Sequence, residues 1–155
     1  MNYIAGLGQF IRGDDGIGLH VIEYIDDYYQ HKNYKTIDLS DNIWNLLPLL
    51  ETTTDKILII DCSFMGKMPG EYDIFSIDSV VDEPTPMVNA HQTGLKQFIQ
   101  IAIKADKKIP AISILGIEPA DIDYSVELSL HLNEHLPQYA ALLLTLFLQQ
   151  KNLDR

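Results

Sequence analysis

Apolar residues along this chain fall alternately into short continuous runs and into stretches at helical spacing. Residues 2–5 read as a first strand, ending in Gly6-Leu7-Gly8. Ile17, Val21, Ile22 and Ile25 recur at spacings of three and four and predict a helix over 16–29. Residues 35–39 form a second strand, and 42–50 a helical segment with Ile43, Leu46, Leu47 and Leu50 inward. The run KILIIDC at 56–62 is almost unbroken in its apolarity, as expected of a central strand covered on both faces. Met68-Pro69-Gly70 is a turn introducing a strand over 71–77, and 82–87, with Pro84 and Pro86, is a loop. A helix follows over 91–104 with Leu95, Phe98, Ile99, Ala102 and Ile103 inward, then a last strand over 109–117. A long helix starts near Ser125 and ends around Gln150, with Pro137 as a candidate break.

Strands alternating with helices predict an α/β fold, a three-layer α/β/α sandwich around a twisted, mostly parallel sheet. Its 155 residues suit one domain spanning 1–155. In open sheets of this kind ligands bind beyond the carboxyl ends of the strands, so the strand ends are where chemistry is sought.

Composition narrows the partners. With 11 Lys and Arg against 22 Asp and Glu, the formal net charge is -11, a surface that repels nucleic acid and anionic membranes and tolerates cations or a basic partner. Cys62 is the only cysteine, which excludes an internal disulfide and a cysteine-only metal cage. No signal-peptide pattern opens the sequence. The longest apolar stretch, 139–148, contains Thr145 and is shorter than the ~20 residues of a membrane span. The expectation is a soluble, cytoplasmic protein.

The segment after the first strand carries Gly6, Gly8, Gly13, Gly16 and Gly18 around Asp14-Asp15. It is not a phosphate loop. Ile11 stands where a dinucleotide fingerprint needs its third glycine, and Asp14-Asp15 stand where a nucleoside-triphosphate loop needs Lys and Ser or Thr. Two carboxylates repel a phosphate and favour a cation. The plain structural alternative is that Asp14 caps the helix and Asp15 decorates its first turn.

Asp61 closes the apolar strand, where a carboxylate is costly unless paired, bound or capping a turn. His91 sits at a loop-to-helix junction. Asp15, Asp61 and His91 come from separate segments yet share one end of the predicted sheet. Two oxygens and one imidazole nitrogen suit a borderline divalent ion such as nickel or zinc and leave positions open for a substrate. Asp38 is an auxiliary carboxylate candidate or simply a strand-end turn residue. His20, His31, His131 and His135 show no ligand spacing and read as structural or solvent-facing. Strand alternation turns Cys62 away from Asp61, as a small core residue rather than a nucleophile.

With these segments in family order, the chain resembles the hydrogenase maturation endopeptidases. The matching elements are Gly6-Leu7-Gly8-Gln9, Gly13-Asp14-Asp15-Gly16-Ile17-Gly18, Leu58-Ile59-Ile60-Asp61, Met65-Gly66, Pro69-Gly70-Glu71, His91-Gln92-Thr93-Gly94-Leu95 and Leu115-Gly116-Ile117-Glu118-Pro119. The resemblance implies a phosphorylase/hydrolase-like three-layer fold and an aspartate-dependent protease. Such a protease removes a short C-terminal extension from the large subunit of a nickel–iron hydrogenase after nickel insertion. It maps the family's metal-contacting acids and histidine onto Asp15, Asp61 and His91. It implies a nickel ion supplied by the substrate, no permanently bound cofactor, and a nickel-loaded large-subunit precursor as partner. The 155 residues show no extra segment for self-association, so a monomer is the default expectation. The sequence departs from the family in having Gln9 where Asn is frequent, and Asp38-Leu39-Ser40-Asp41 where Asp-Gly-Gly followed by Ser or Thr is common. The other classes weighed are a metal-dependent small-molecule hydrolase and a non-catalytic maturation chaperone.

Overall fold

In the computed structural model, residues 1–30, 33–82 and 90–150 are described, with side chains excepted at 80–82, 90–93 and 147–150. The strands are β1 (Asn2–Gly6), β2 (Tyr34–Asp38), β3 (Lys56–Cys62), β4 (Tyr72–Ser76) and β5 (Ala111–Ile117). They form one sheet in the order β2-β1-β3-β5-β4. All neighbours are parallel except the edge pair of β4 and β5, which is antiparallel. The helices are α1 (Ile17–Tyr28), α2 (Ile77–Asp82), α3 (Ala90–Lys104), α4 (Leu130–Glu134) and α5 (Leu136–Gln150).

The almost unbroken apolarity of β3 follows from its place. Every residue from Ile57 to Cys62 is buried, because helices cover both faces. Ile57 and Ile59 join Ala5, Ile112 and Ile114 in a core closed by Phe98, Ile99 and Ala102 of α3. Leu58, Ile60 and Cys62 join Ile4, Leu115 and Ile117 in a second core closed by Val21 and Ile25 of α1 and by Tyr139 and Leu143 of α5. The three predicted layers are therefore present, each face of the sheet burying alternate residues of the same strands.

Three local expectations need correction. Residues Ile43–Leu49 form a 3₁₀ helix rather than an α-helix, with Pro48 inside it. At three residues per turn, Ile43, Leu46 and Leu49 share the inner face, so Leu47 is turned out and 39% exposed. In α3, Ile103 is also exposed, since it stands about a quarter turn from the stripe centred on Leu95, Phe98 and Ala102. The C-terminal helix begins at Leu130, not near Ser125, and is divided at His135. Pro137 falls in the first turn of α5, where its missing N–H is not needed, so the chain breaks just before it. The predicted loop over 82–87 lies, beyond Asp82, outside the described residues.

This topology fixes where a site can be. The chain leaves β1 to build β2 on one side and returns to build β3 on the other. The carboxyl ends of β1 and β3 therefore flank the crevice of a topological switch point. No described helix is long and apolar enough to cross a membrane.

Candidate functional site

Backbone hydrogen bonds draw the ends of three strands together. Leu7 N–H donates to the Ile60 carbonyl at 3.0 Å, Gly8 N–H to that of Ser40 at 2.7 Å, and Leu39 N–H to that of Gly6 at 2.8 Å. The loop then doubles back so tightly that a Cβ on Gly8, whose φ is +147°, would lie 2.0 Å from the Asp15 carbonyl oxygen. A Cβ on Gly18 would lie 2.3 Å from that of Ile60. Glycine at both positions lets the start of α1 rest on the end of β3.

A 3₁₀ turn, Gly13–Gly16, presents the two aspartates in different roles. Asp14 is fully buried. Its Oδ2 accepts from the N–H groups of Ala120 at 2.9 Å and Asp121 at 3.0 Å, and its Oδ1 accepts from Ser129 N–H at 2.8 Å. It thus ties down the segment after β5 rather than capping α1, whose N-cap has no side-chain hydrogen bond. Asp15 is half-buried, and its Oδ2 accepts from Gln9 N–H at 3.0 Å, which orients the carboxylate.

Asp61 is buried at the carboxyl end of β3. It shares strand parity with Ile57 and Ile59, the face that α3 covers, whereas Cys62 packs into the opposite core. The Cys62 thiol has its pKa pushed far up, first by burial and then by the negative charges of Asp61, Asp15, Asp14 and Glu118. The acidic side chains that add to this shift come from three segments, the turn after β1, the end of β3 and the end of β5. A thiol so disfavoured as thiolate is no nucleophile.

His91 is the second residue of α3, and its side chain lies outside the described residues. Among the described residues, no group of three His, Cys, Asp or Glu side chains is arranged to hold a metal ion. Asp38 ends β2 and is exposed. Its Oδ1 accepts from Ser40 N–H at 2.7 Å, so it closes a turn in which Ser40 has φ 50°. Gln9 Nε2 donates to Asp41 Oδ2 at 2.9 Å, so the longer amide anchors the loop to the segment after β2. Gln9, Asp38, Ser40 and Asp41 line a cavity of about 580 Å³ together with Phe10 and Ile11.

Glu118 was not singled out by the sequence reading. It is buried at the end of β5, and its Oε2 accepts from Met65 N–H at 2.6 Å, pinning the segment that follows β3. The available signal was the one that flagged Asp61, a carboxylate closing an apolar strand. Tyr139 is likewise buried, and its hydroxyl donates to the Gly70 carbonyl at 2.6 Å. Its pKa is pushed up to about 12 by burial, Asp14 and Tyr72. Of the histidines, His20 stacks on Phe10 at 4.8 Å and has its pKa lowered by burial against the pull of Glu23 and Asp14. His131 is exposed, His135 contacts the His131 carbonyl, and His31 lies outside the described residues.

The same architecture occurs in solved structures of hydrogenase maturation endopeptidases. The hydrogenase maturating endopeptidase HybD from E. coli superposes with a TM-score of 0.83 at 18% identity, over 96% of this chain and 93% of that one. The [NiFe] hydrogenase maturation protease HybD from Thermococcus kodakarensis gives 0.75 at 23% identity, over 94% and 97%. These likenesses define the fold class. Among curated relatives, a Methanocaldococcus jannaschii protein provisionally named as a hydrogenase maturation protease is 28% identical over 131 residues, 78% of this chain and 73% of the relative. The hydrogenase expression/formation protein HupD of Rhizobium leguminosarum bv. viciae is 24% identical over 129 residues, 77% of this chain and 60% of its own length. A family model described as hydrogenase maturation protease matches residues 19–146. The chain belongs to the hydrogenase maturation protease family, and its enzyme class is that of a protease.

Proposed function

We propose that this protease removes a C-terminal extension from the large-subunit precursor of a nickel–iron hydrogenase, acting after nickel has been inserted. Asp15, Asp61 and His91 complete the coordination of the nickel held by the substrate, so that only a loaded precursor docks in register. This is specificity through a contact that the right substrate alone provides. The enzyme then carries no resident cofactor, and the nickel is part of what it reads.

The observation that supports this reading most directly is that Asp61 is buried at the carboxyl end of β3 while the loop carrying Asp15 is bonded to that same end through Leu7 N–H and the Ile60 carbonyl, at the switch point of the sheet. Carboxylates presented at one end of a sheet favour a cation there. Asp61 shares the sheet face that α3 covers, and His91 stands in the first turn of that helix. The peptide bond is hydrolysed by water, activated by a carboxylate of this group or polarised by the substrate's metal. Asp38, at the edge of the neighbouring cavity, is the auxiliary carboxylate.

Purified precursor with and without nickel, incubated with the enzyme and weighed by intact-mass spectrometry, tests the reading. Release of a C-terminal fragment from the nickel-loaded form only, lost in Asp15→Asn and His91→Ala, is the expected result. Stable binding of a loaded cognate precursor without cleavage would replace it with a chaperone role.

A further inference from the structure

A stitched segment beside the Asp15 loop exposes large apolar side chains. After β5, the chain over 120–129 is held from beneath by three backbone N–H groups donating to Asp14. It is paired with the loop after β1, since Gly13 N–H donates to the Ser125 carbonyl at 2.8 Å and Ser125 N–H to that of Ile11 at 2.9 Å. Two side-chain turns stiffen it further: Asp123 N–H donates to Asp121 Oδ1 at 2.8 Å, and Glu127 N–H to Ser125 Oγ at 3.0 Å. Gly13 has no room for a side chain, because a Cβ there would lie 2.8 Å from the Asp121 carbonyl oxygen.

This bracing holds in place side chains that water does not favour. Tyr124 is 84% exposed, Leu130 71%, Ile11 58% and Val126 57%. Ile11, Tyr124 and Val126 flank the Arg12–Ser125 bridge directly. Single exposed apolar residues are ordinary, but Tyr124 and Val126 on the braced segment, with Ile11 on the loop paired to it and Leu130 just beyond it, mark an interaction surface. The intervening polar residues are of one sign, Asp121, Asp123 and Glu127, and no Lys or Arg occurs from Ile109 to Gln150. Arg12 is the cation on the paired strand.

We propose that Ile11, Tyr124, Val126 and Leu130, interleaved with Asp121, Asp123 and Glu127, form a docking platform for a basic, apolar surface of the folded protein substrate. The charge selects this occupant. A second copy of the chain brings the same net -11 and is repelled, and an anionic membrane is repelled likewise. The platform is bonded to the turn that carries Asp15, so a substrate seated on it is held in fixed relation to that carboxylate. Acids at the rim speed encounter, and the apolar side chains slow dissociation. The proposal rests on the precursor being the substrate, and it adds where the body of that protein is gripped, away from the bond that is cut.

The test uses the full-length enzyme and nickel-loaded precursor, with cleavage followed by intact mass and binding by biolayer interferometry. Tyr124→Ser with Val126→Ser should raise KM about tenfold while kcat stays within about twofold. Asp123→Lys with Glu127→Lys should lower the association rate about tenfold and weaken its dependence on salt. Both pairs replace exposed residues, and circular dichroism checks that they fold. Tyr124→Phe, which keeps the ring, should bind like wild type. Wild-type cleavage with unchanged KM in both double variants overturns the platform and leaves the proposed function standing. A wild-type enzyme that neither binds nor cuts the loaded precursor overturns the proposed function and the platform's partner together.

Discussion

Asp14 Oδ1 accepts a hydrogen bond from Ser129 N–H at 2.8 Å, joining the turn after β1 to the segment that leads into α4. Together with Ala120 and Asp121 on its other oxygen, this makes the buried carboxylate a three-way tie. Asparagine at this position keeps one acceptor and turns an amide NH₂ toward backbone donors. Asp14→Asn should therefore destabilise the protein by about 2–4 kcal/mol, the range for losing charge-assisted bonds and stranding buried donors. Urea unfolding checks this, and a loss below about 1 kcal/mol would mean that the tie is dispensable.

Its neighbour should behave in the opposite way. The hydrogen bond that orients Asp15 from Gln9 N–H survives in Asp15→Asn because the amide oxygen still accepts. Fold stability should change by less than about 1 kcal/mol, while cleavage of nickel-loaded precursor falls by about a hundredfold or more. Equal losses of stability and activity in Asp14→Asn and Asp15→Asn would contradict this division of labour.

Two glycines separate crowding from conformational strain. Gly18 has no room, since its Cβ would meet the Ile60 carbonyl oxygen at 2.3 Å, backbone against backbone. Gly66 has φ +74° and nothing within 4 Å of its Cβ position. Gly18→Ala should destabilise by about 2–4 kcal/mol and displace the Asp15 loop from β3, whereas Gly66→Ala should remove only about 1 kcal/mol. Thermal melts of the two variants give the comparison, and reversal of their order would show that α1 can shift away from the sheet.

The central sheet was legible because β3 buries both faces and its run Ile57–Ile60 has no choice but to be apolar. The separation of Asp61 from Cys62 was legible for a related reason, strand parity. What escaped was whatever depends on partners distant in sequence. Asp14 reads locally as a helix cap, yet its hydrogen bonds run to residues more than a hundred positions away. Leu47 counts as inward at α-helical spacing and turns out under 3₁₀ spacing, a distinction that Pro48 and packing of Trp44 on Phe98 at 5.0 Å settle only in the folded chain. Glu118 carried the same signal as Asp61 but was absorbed into a motif. The triad of Asp15, Asp61 and His91 is a proposal drawn from sequence, supported by the bond that ties the loop of Asp15 to the strand end of Asp61.

Alkaline pH should expose the buried thiol and phenol in sequence. Burial and the surrounding carboxylates raise the Cys62 pKa well above its ordinary 9.0, and burial with Asp14 and Tyr72 raises that of Tyr139 from 10.0 to about 12. In each case the unfolded chain gives up its proton first, so above the unfolded pKa the native state binds more protons and stability falls as pH rises. The contribution of Cys62 is complete below about pH 9 and is lost above it; that of Tyr139 is complete below about pH 10 and is lost toward about 12. Urea midpoints measured from about pH 7 to about pH 11 should therefore be level at first and then decline in two stages. Cys62→Ala should delay the onset of the decline, and Tyr139→Phe should soften its steeper part, although loss of the hydrogen bond to Gly70 lowers the whole curve. Cleavage at neutral pH should persist in Cys62→Ala, because the thiol stays protonated and takes no part in the reaction. A Cys62→Ala curve parallel to wild type through the alkaline range would mean that burial does not hold the thiol protonated in the native state.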